Sequence, residues 1–166
     1  MITLKEKLYN KILTLSRNKF LYSNIGLSDT FITRINLIFF HSSFLTIKMK
    51  NYYKTNDLKK LSQNLFDYTF EKIELNMREI GYGDVTVNKN MKILVNNFYD
   101  ILLSCETYTK LDLIKKKSLL LKYFFTAETK QDHNLTSLIQ YFDKYSTFCY
   151  DLSTDDILKA EINFNY

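Results

Sequence analysis

The sequence contains no proline and no tryptophan, and only three glycines, two cysteines and two histidines in 166 residues. Average usage would place about 8 prolines and about 12 glycines in a chain of this length. An all-β sandwich or barrel draws on turn residues roughly every 8–12 positions, so the shortage argues against that class. It also argues against a glycine-rich phosphate cradle. Gly81-Tyr82-Gly83 follows a helical pattern rather than a strand, so it is no dinucleotide fingerprint. Cys105 and Cys149 have neither metal-ligand spacing nor a disulfide framework, which suits a reducing compartment. His41 and His133 lie far apart with no cysteine beside them in a ligand pattern, so no metal and no cofactor is expected. No G-x-S-x-G elbow exists, and nothing in the residues points to catalysis.

Long apolar runs are absent too. The most apolar stretch, Ile35 to Met49, is broken by Asn36, His41, Ser42, Ser43, Thr46 and Lys48, and a bilayer span needs about 20 mostly apolar residues. Lys5, Lys7 and Lys11 interrupt the apolar positions at the amino terminus, against a secretory signal. The expectation is a cytoplasmic protein, peripheral to a membrane at most.

What is present supports a globule. Hydrophobic residues make up 46% and charged residues 25%, enough apolar side chains for a core without the charge excess of a disordered chain. Phe and Tyr number 13 each, amid abundant Lys, Asn and Ile, a profile that resembles AT-rich codon drift. Individual aromatics are therefore not read as functional signals. The net charge of +5 is uneven: residues 1–60 hold eleven Lys/Arg against three Asp/Glu, and the remainder is slightly acidic. A basic amino-terminal third suits an anionic surface, lipid headgroups or RNA phosphate, although Lys-rich composition alone produces such asymmetry.

Apolar spacing is helical almost throughout. The first helix is read as Ile2–Asn18, with Thr3 and Glu6 at capping-box spacing. A connector from Lys19 to Leu27 holds Gly26. Ser28 or Asp29 is expected to cap a second helix over Thr30–Lys50, which is apolar on most of its circumference and therefore central. A polar turn, Asn51–Asn56, precedes a helix from Asp57 to Ile80, whose Phe66, Phe70, Ile73, Met77 and Ile80 form one buried face. Gly81 stops it. After a loop over 82–86, helices are expected over Val87–Cys105, Leu111–Phe125 and Leu135–Tyr150. Ser153 and Asp156 cap a short last helix before a tail, Ile162–Tyr166. The sum is an all-α, single compact domain of six or seven helices over residues 1–166.

Two places stand out. Arg34 and His41 lie seven apart on the apolar second helix, so both are expected on one face, with Asp84 or a peptide carboxylate as partner. The segment Arg78-Glu79-Ile80-Gly81-Tyr82-Gly83-Asp84 holds two of the three glycines, with Lys89 and Lys92 following within two turns. A helix stop with Asp84 capping the next helix explains Gly81 and part of Gly83. It leaves Arg78 and Glu79 for a polar, partner-facing rim. Lys115-Lys116-Lys117 is a basic run, but three successive helical residues fan around the surface and make no single groove.

These residues carry a resemblance. Gly26-Leu27-Ser28-Asp29-Thr30, Arg34 through His41, Met77 through Asp84, Lys89, Lys92 and Phe98-Tyr99 look like the ubiquinol–cytochrome c chaperone family. Its corner pattern reads Leu-Arg-Glu-Met-Gly-Val-Gly-Asp, followed by a Val and spaced Lys. Arg78, Glu79, Gly81, Gly83, Asp84, Val87 and Lys89 match it, while Met77, Ile80 and Tyr82 replace its Leu, Met and Val. The earlier segment matches at Asp29, Thr30, Arg34 and His41. One of two acidic positions a turn before the Arg-Glu pair is Lys72 here; the other is Glu74. The resemblance covers about residues 8–150.

The resemblance implies a chaperone, not an enzyme: an assembly factor of the cytochrome bc1 complex (complex III) of the respiratory chain. Mitochondrial members bind newly made cytochrome b beside the ribosome exit, with a small partner protein, and a bacterial form of this length corresponds to the core domain. Contact with the ribosome and with the cytoplasmic face of the inner membrane is expected, and no DNA. The partner surface is expected to comprise Arg34, His41, Arg78, Glu79, Asp84, Lys89 and Lys92, with Gly81 and Gly83 shaping the backbone. The alternative is a helical RNA- or ribosome-binding module, which steep salt dependence would reveal. A small-molecule enzyme would need a deep polar pocket that nothing in the sequence suggests.

Overall fold

A computed structural model describes residues 1–52, 56–126 and 132–166, leaving aside the side chains of Asp132 and His133. Part of the turn expected over Asn51–Asn56 lies outside the described residues. Seven α-helices and no strand occur among those described: α1 (Leu4–Ser16), α2 (Phe31–Lys50), α3 (Asn56–Ile80), α4 (Asp84–Thr107), α5 (Leu113–Phe124), α6 (Asp132–Asp151) and α7 (Thr154–Leu158). Both capping boxes form. Thr3 Oγ1 accepts from the Glu6 amide while Glu6 accepts from the Thr3 amide, and Ser153 and Asp156 do the same at α7.

Helix α2 is the hub. It packs on α1, α3 and α4 on one side and on α5 and α6 on the other. Adjacent phenylalanines show how. Successive helical residues point about 100° apart. Phe39 therefore meets Phe70 of α3 and Phe98 of α4, at 5.5 and 5.3 Å between ring centroids. Phe40 meets Phe124 of α5 and Phe142 of α6, at 5.1 and 5.2 Å. A helix apolar all round can join two half-cores only by being central.

Several boundaries differ from the sequence reading for local reasons. Neither Ser28 nor Asp29 caps α2. Thr30 does, its Oγ1 accepting from the Thr33 amide at 3.2 Å. Asp112 caps α5 through the Lys115 amide. The loop expected over 82–86 ends at Gly83, because α4 begins at Asp84. Its first turn contributes nothing to the core before Val87, so apolar spacing could not reveal it. The connector before α2 holds a π-helical turn, Phe20–Asn24, closed by Gly26 at φ +83°. The carboxy-terminal segment has no helix but does not hang free. Ile162 is buried, Phe164 packs on Tyr141, Tyr145 and Phe148, and Tyr166 lies against Phe20 and Tyr141.

Candidate functional site: the corner between the third and fourth helices

Helix α3 ends in a paired-bond stop. The Tyr82 amide donates to the Met77 carbonyl at 3.2 Å and the Gly81 amide to the Arg78 carbonyl at 3.0 Å. Gly81 takes φ +105°, which a side chain would resist, and Gly is the residue such a stop favours. Gly83 is different. Its backbone is extended, φ −74°, and a Cβ there would meet nothing within 4 Å.

Arg78 ties the corner. Its guanidinium donates to Glu74 one turn earlier, at 3.0 Å, and across the turn to Asp84 in the first turn of α4. The two carboxylates raise the Arg78 pKa. Each charge sits where its helix dipole favours it: Arg78 in the last turn of α3, Asp84 in the first turn of α4. Asp84 thus does not act as the side-chain cap read from the sequence; Gly83 holds the cap position without one. Such exposed pairs contribute little to stability. What they provide is a side-chain link from the last turn of α3 to the first turn of α4.

Arg34 and His41 part company. Arg34 is exposed and held bidentately by Asp29, at 2.7 and 3.0 Å, which lowers the Asp29 carboxyl pKa. His41 is fully enclosed at 0% exposure. Its Nδ1 lies 2.6 Å from the Leu37 carbonyl, which can only accept, so Nδ1 carries the proton. Nε2 then accepts from the Tyr141 hydroxyl at 2.7 Å. The Tyr145 hydroxyl donates to the His41 carbonyl, locking α2 to α6. Burial pushes the His41 pKa down to about 4, so the ring is neutral. Asp84 partners neither Arg34 nor His41. The two share a helix face by spacing, but Arg34 lies in the first turn of α2, where the neighbouring helices run out.

The same running-out builds a surface. Ile80, expected in the core, emerges at 59% exposure, and Ile32 of the largely apolar α2 emerges as well. Two clefts result. One, of about 310 Å³, is lined by Phe31, Ile38, Ile73 and Ile80, with Arg17, Arg34 and Glu79 at its rim. The other, of about 190 Å³, is lined by Phe31, Ile32, Met77, Tyr82 and Ile93. Phe31 lines both. Lys89 and Lys92 are exposed and flank Ile93 on one stripe of α4 by helical spacing. The structure therefore gathers Arg34 and Glu79 at one rim and sets Arg78, Gly81, Gly83 and Asp84 in the adjoining turn. Arg17, Phe31, Tyr82 and Ile93 were not singled out from sequence. For Arg17, Phe31 and Tyr82 the available signal was their place at helix ends, where apolar periodicity no longer guarantees burial; Ile93, within α4, carried none.

Chemically the arrangement suits binding: exposed apolar side chains in a rigid frame, rimmed by charges of both signs. Among the described residues no three His, Cys, Asp or Glu cluster as metal ligands. The fold and corner define an all-α scaffold with a fixed, amphipathic double cleft. The profile of the ubiquinol–cytochrome c chaperone family matches residues 23–164, and the chain belongs to that family. It is 23% identical over 130 residues to a Mus musculus protein named ubiquinol-cytochrome c reductase complex assembly factor 1. That match takes in 78% of this chain and 43% of the mouse protein, so it spans less than half the length of this relative. The crystal structure of the Cbp3 homolog from Brucella abortus shares the fold, with a TM-score of 0.82 at 20% identity over 98% of this chain and 89% of that one. No helix among the described residues is long and apolar enough to cross a membrane.

Proposed function

We propose that this protein is an assembly chaperone of the cytochrome bc1 complex that holds newly made cytochrome b through the double cleft at the corner. Family membership and the name of the mouse relative support the complex; the cleft supports the mode of action. The observation that carries the reading is the exposed apolar set Ile32, Ile80, Tyr82 and Ile93 around the half-buried Phe31, framed by the Arg78 clasp and the Arg34–Asp29 pair. A membrane-protein segment awaiting insertion is apolar with polar ends. A groove with apolar walls and a charged rim of both signs accommodates such a segment by helix-in-groove packing. Holding needs no chemistry, so the reading is of a binder rather than an enzyme, acting with a small partner protein, the ribosome and the cytoplasmic face of the inner membrane. His41 serves this surface from beneath, by fixing α2 against α6.

A strain lacking the gene tests the reading. Its membranes should lose the b-type haem signal of the bc1 complex in reduced-minus-oxidised spectra, with other oxidases intact. Restoring the protein with a photo-crosslinking residue at Ile80 or Ile93 should yield an adduct with cytochrome b, and Arg78→Ala should weaken that adduct several-fold. Normal bc1 levels in the deletion strain, or adducts only with RNA, would overturn it.

A further inference from the structure

The opposite end of α3 carries a second concavity, built unlike the corner. A cleft of about 540 Å³ lies between the carboxy-terminal end of α2, the amino-terminal half of α3 and the carboxy-terminal half of α4. Its apolar wall is Phe66, Phe98, Tyr99 and Leu102, and Lys50, Lys59 and Lys60 stand over it. Across Lys60 and Asn64 it runs into a shallower depression of about 460 Å³ that adds Lys5 and Asp57. Four lysines and one aspartate thus line the joined hollow, Lys50 being paired with Glu106 at 2.9 Å.

Folding does not account for Lys59 and Lys60. Lys59 lies in the first turn of α3, where the helix dipole presents its positive end and disfavours cations, and Lys60 follows it at the start of the second turn. Both are exposed, and neither has an ion-pair partner among the described residues. Two like charges held beside a positive helix end, above an aromatic wall, are arranged for something anionic and partly apolar. The apolar character also continues beyond the cleft. Tyr99 and Leu103, one turn apart on α4, are 50% and 62% exposed. Phosphodiester has no use for a leucine ridge, and a bilayer surface does not fill a concavity. An amphipathic helix with acidic flanks matches both the lysines and the ridge.

We infer that this cleft is a second docking site, for an acidic amphipathic helix of a protein partner. It is independent of the corner and of the complex III reading. Binding here, measured on the isolated protein, can fail while the respiratory phenotype stands, and the reverse.

The test uses a fluorescein-labelled designed helix of about 18 residues, with leucines three and four apart and glutamates on both flanks. Anisotropy should show binding at about 10 µM or tighter. A peptide with every Glu changed to Gln, and a scrambled one, should bind at least tenfold more weakly. K59E/K60E should weaken the acidic peptide at least tenfold and Tyr99→Ala severalfold, while Lys122→Glu on α5 leaves it unchanged. Because the paired lysine change favours the α3 dipole, circular dichroism should show an intact fold, so lost binding reports the site. No binding of the acidic peptide, equal binding of the Gln or scrambled peptide, or indifference to K59E/K60E would overturn the inference. So would oligouridylate captured through Lys59 and Lys60 in place of the peptide, which would make the cleft a nucleic-acid site.

Discussion

The two ends of α3, about 37 Å apart along a helix of 25 residues, treat charge in opposite ways. At the carboxy-terminal end every charge of the clasp has a partner: Arg78 is shared by Glu74 and Asp84, and Arg34 nearby is held by Asp29. The clasp charges set geometry, whereas Glu79, in the last turn of α3 and without an ion-pair partner among the described residues, stands at the rim of the exposed apolar surface. At the amino-terminal end Lys59 stands against the helix dipole, and neither it nor Lys60 beside it has an ion-pair partner among the described residues. The contrast separates two uses of surface charge on one element. Paired charge shapes the protein itself, and unpaired charge placed against local preference is available to something else.

The scaffold shared by both ends can be weakened most by acid. An unfolded histidine takes up a proton near pH 6.5, whereas His41 in the folded protein does so only near 4. Between those values the unfolded state binds more protons, so stability falls as pH is lowered from 6.5 to 4, and the contribution of His41 is fully present above 7. The loss should total roughly 3 kcal/mol, read as a falling urea midpoint at constant slope. An unchanged midpoint across that window would show that His41 takes up its proton in the folded state. Both ends should lose binding together, because each depends on α2.

The corner can be broken alone. Gly81→Val should cost about 2 kcal/mol, since a β-branched residue must adopt φ near +105° while meeting no steric obstacle. Gly83→Ala should leave thermal stability essentially unchanged, its backbone being extended and its surroundings open. Equal losses from the two glycines would show that space, not backbone conformation, governs the turn.

The smallest effect sharpens the contrast at the other end. Replacing Lys59 and Lys60 by Glu should raise stability by about 0.3–1 kcal/mol through Lys59, in the first turn of α3, with little added by Lys60 beyond it. A denaturation midpoint that falls instead would mean these lysines support the fold, and the distinction between the two ends would disappear.

Features that depend on neighbours in sequence were legible. The capping boxes at Thr3–Glu6 and Ser153–Asp156, the stop at Gly81 and the central role of α2 all form as read, because each rests on bonds within one turn or on composition around one helix. Features that depend on what another element covers were not. Ile80 and Ile32 have core spacing yet lie exposed, and Arg34 and His41 share a face yet one is in solvent and the other in the interior. Asp84 reads as a cap and acts as a clasp because Arg78 reaches it across the turn. The carboxy-terminal segment has no helical pattern and still packs through Ile162, Phe164 and Tyr166.

The sequence by itself determined the all-α class, the order and limits of most helices, the capping chemistry and the family resemblance, since periodicity and short motifs act over a few residues. Tertiary structure alone decided which apolar and charged residues face solvent. Burial depends on where neighbouring helices end, and that is set by packing between residues far apart in the chain.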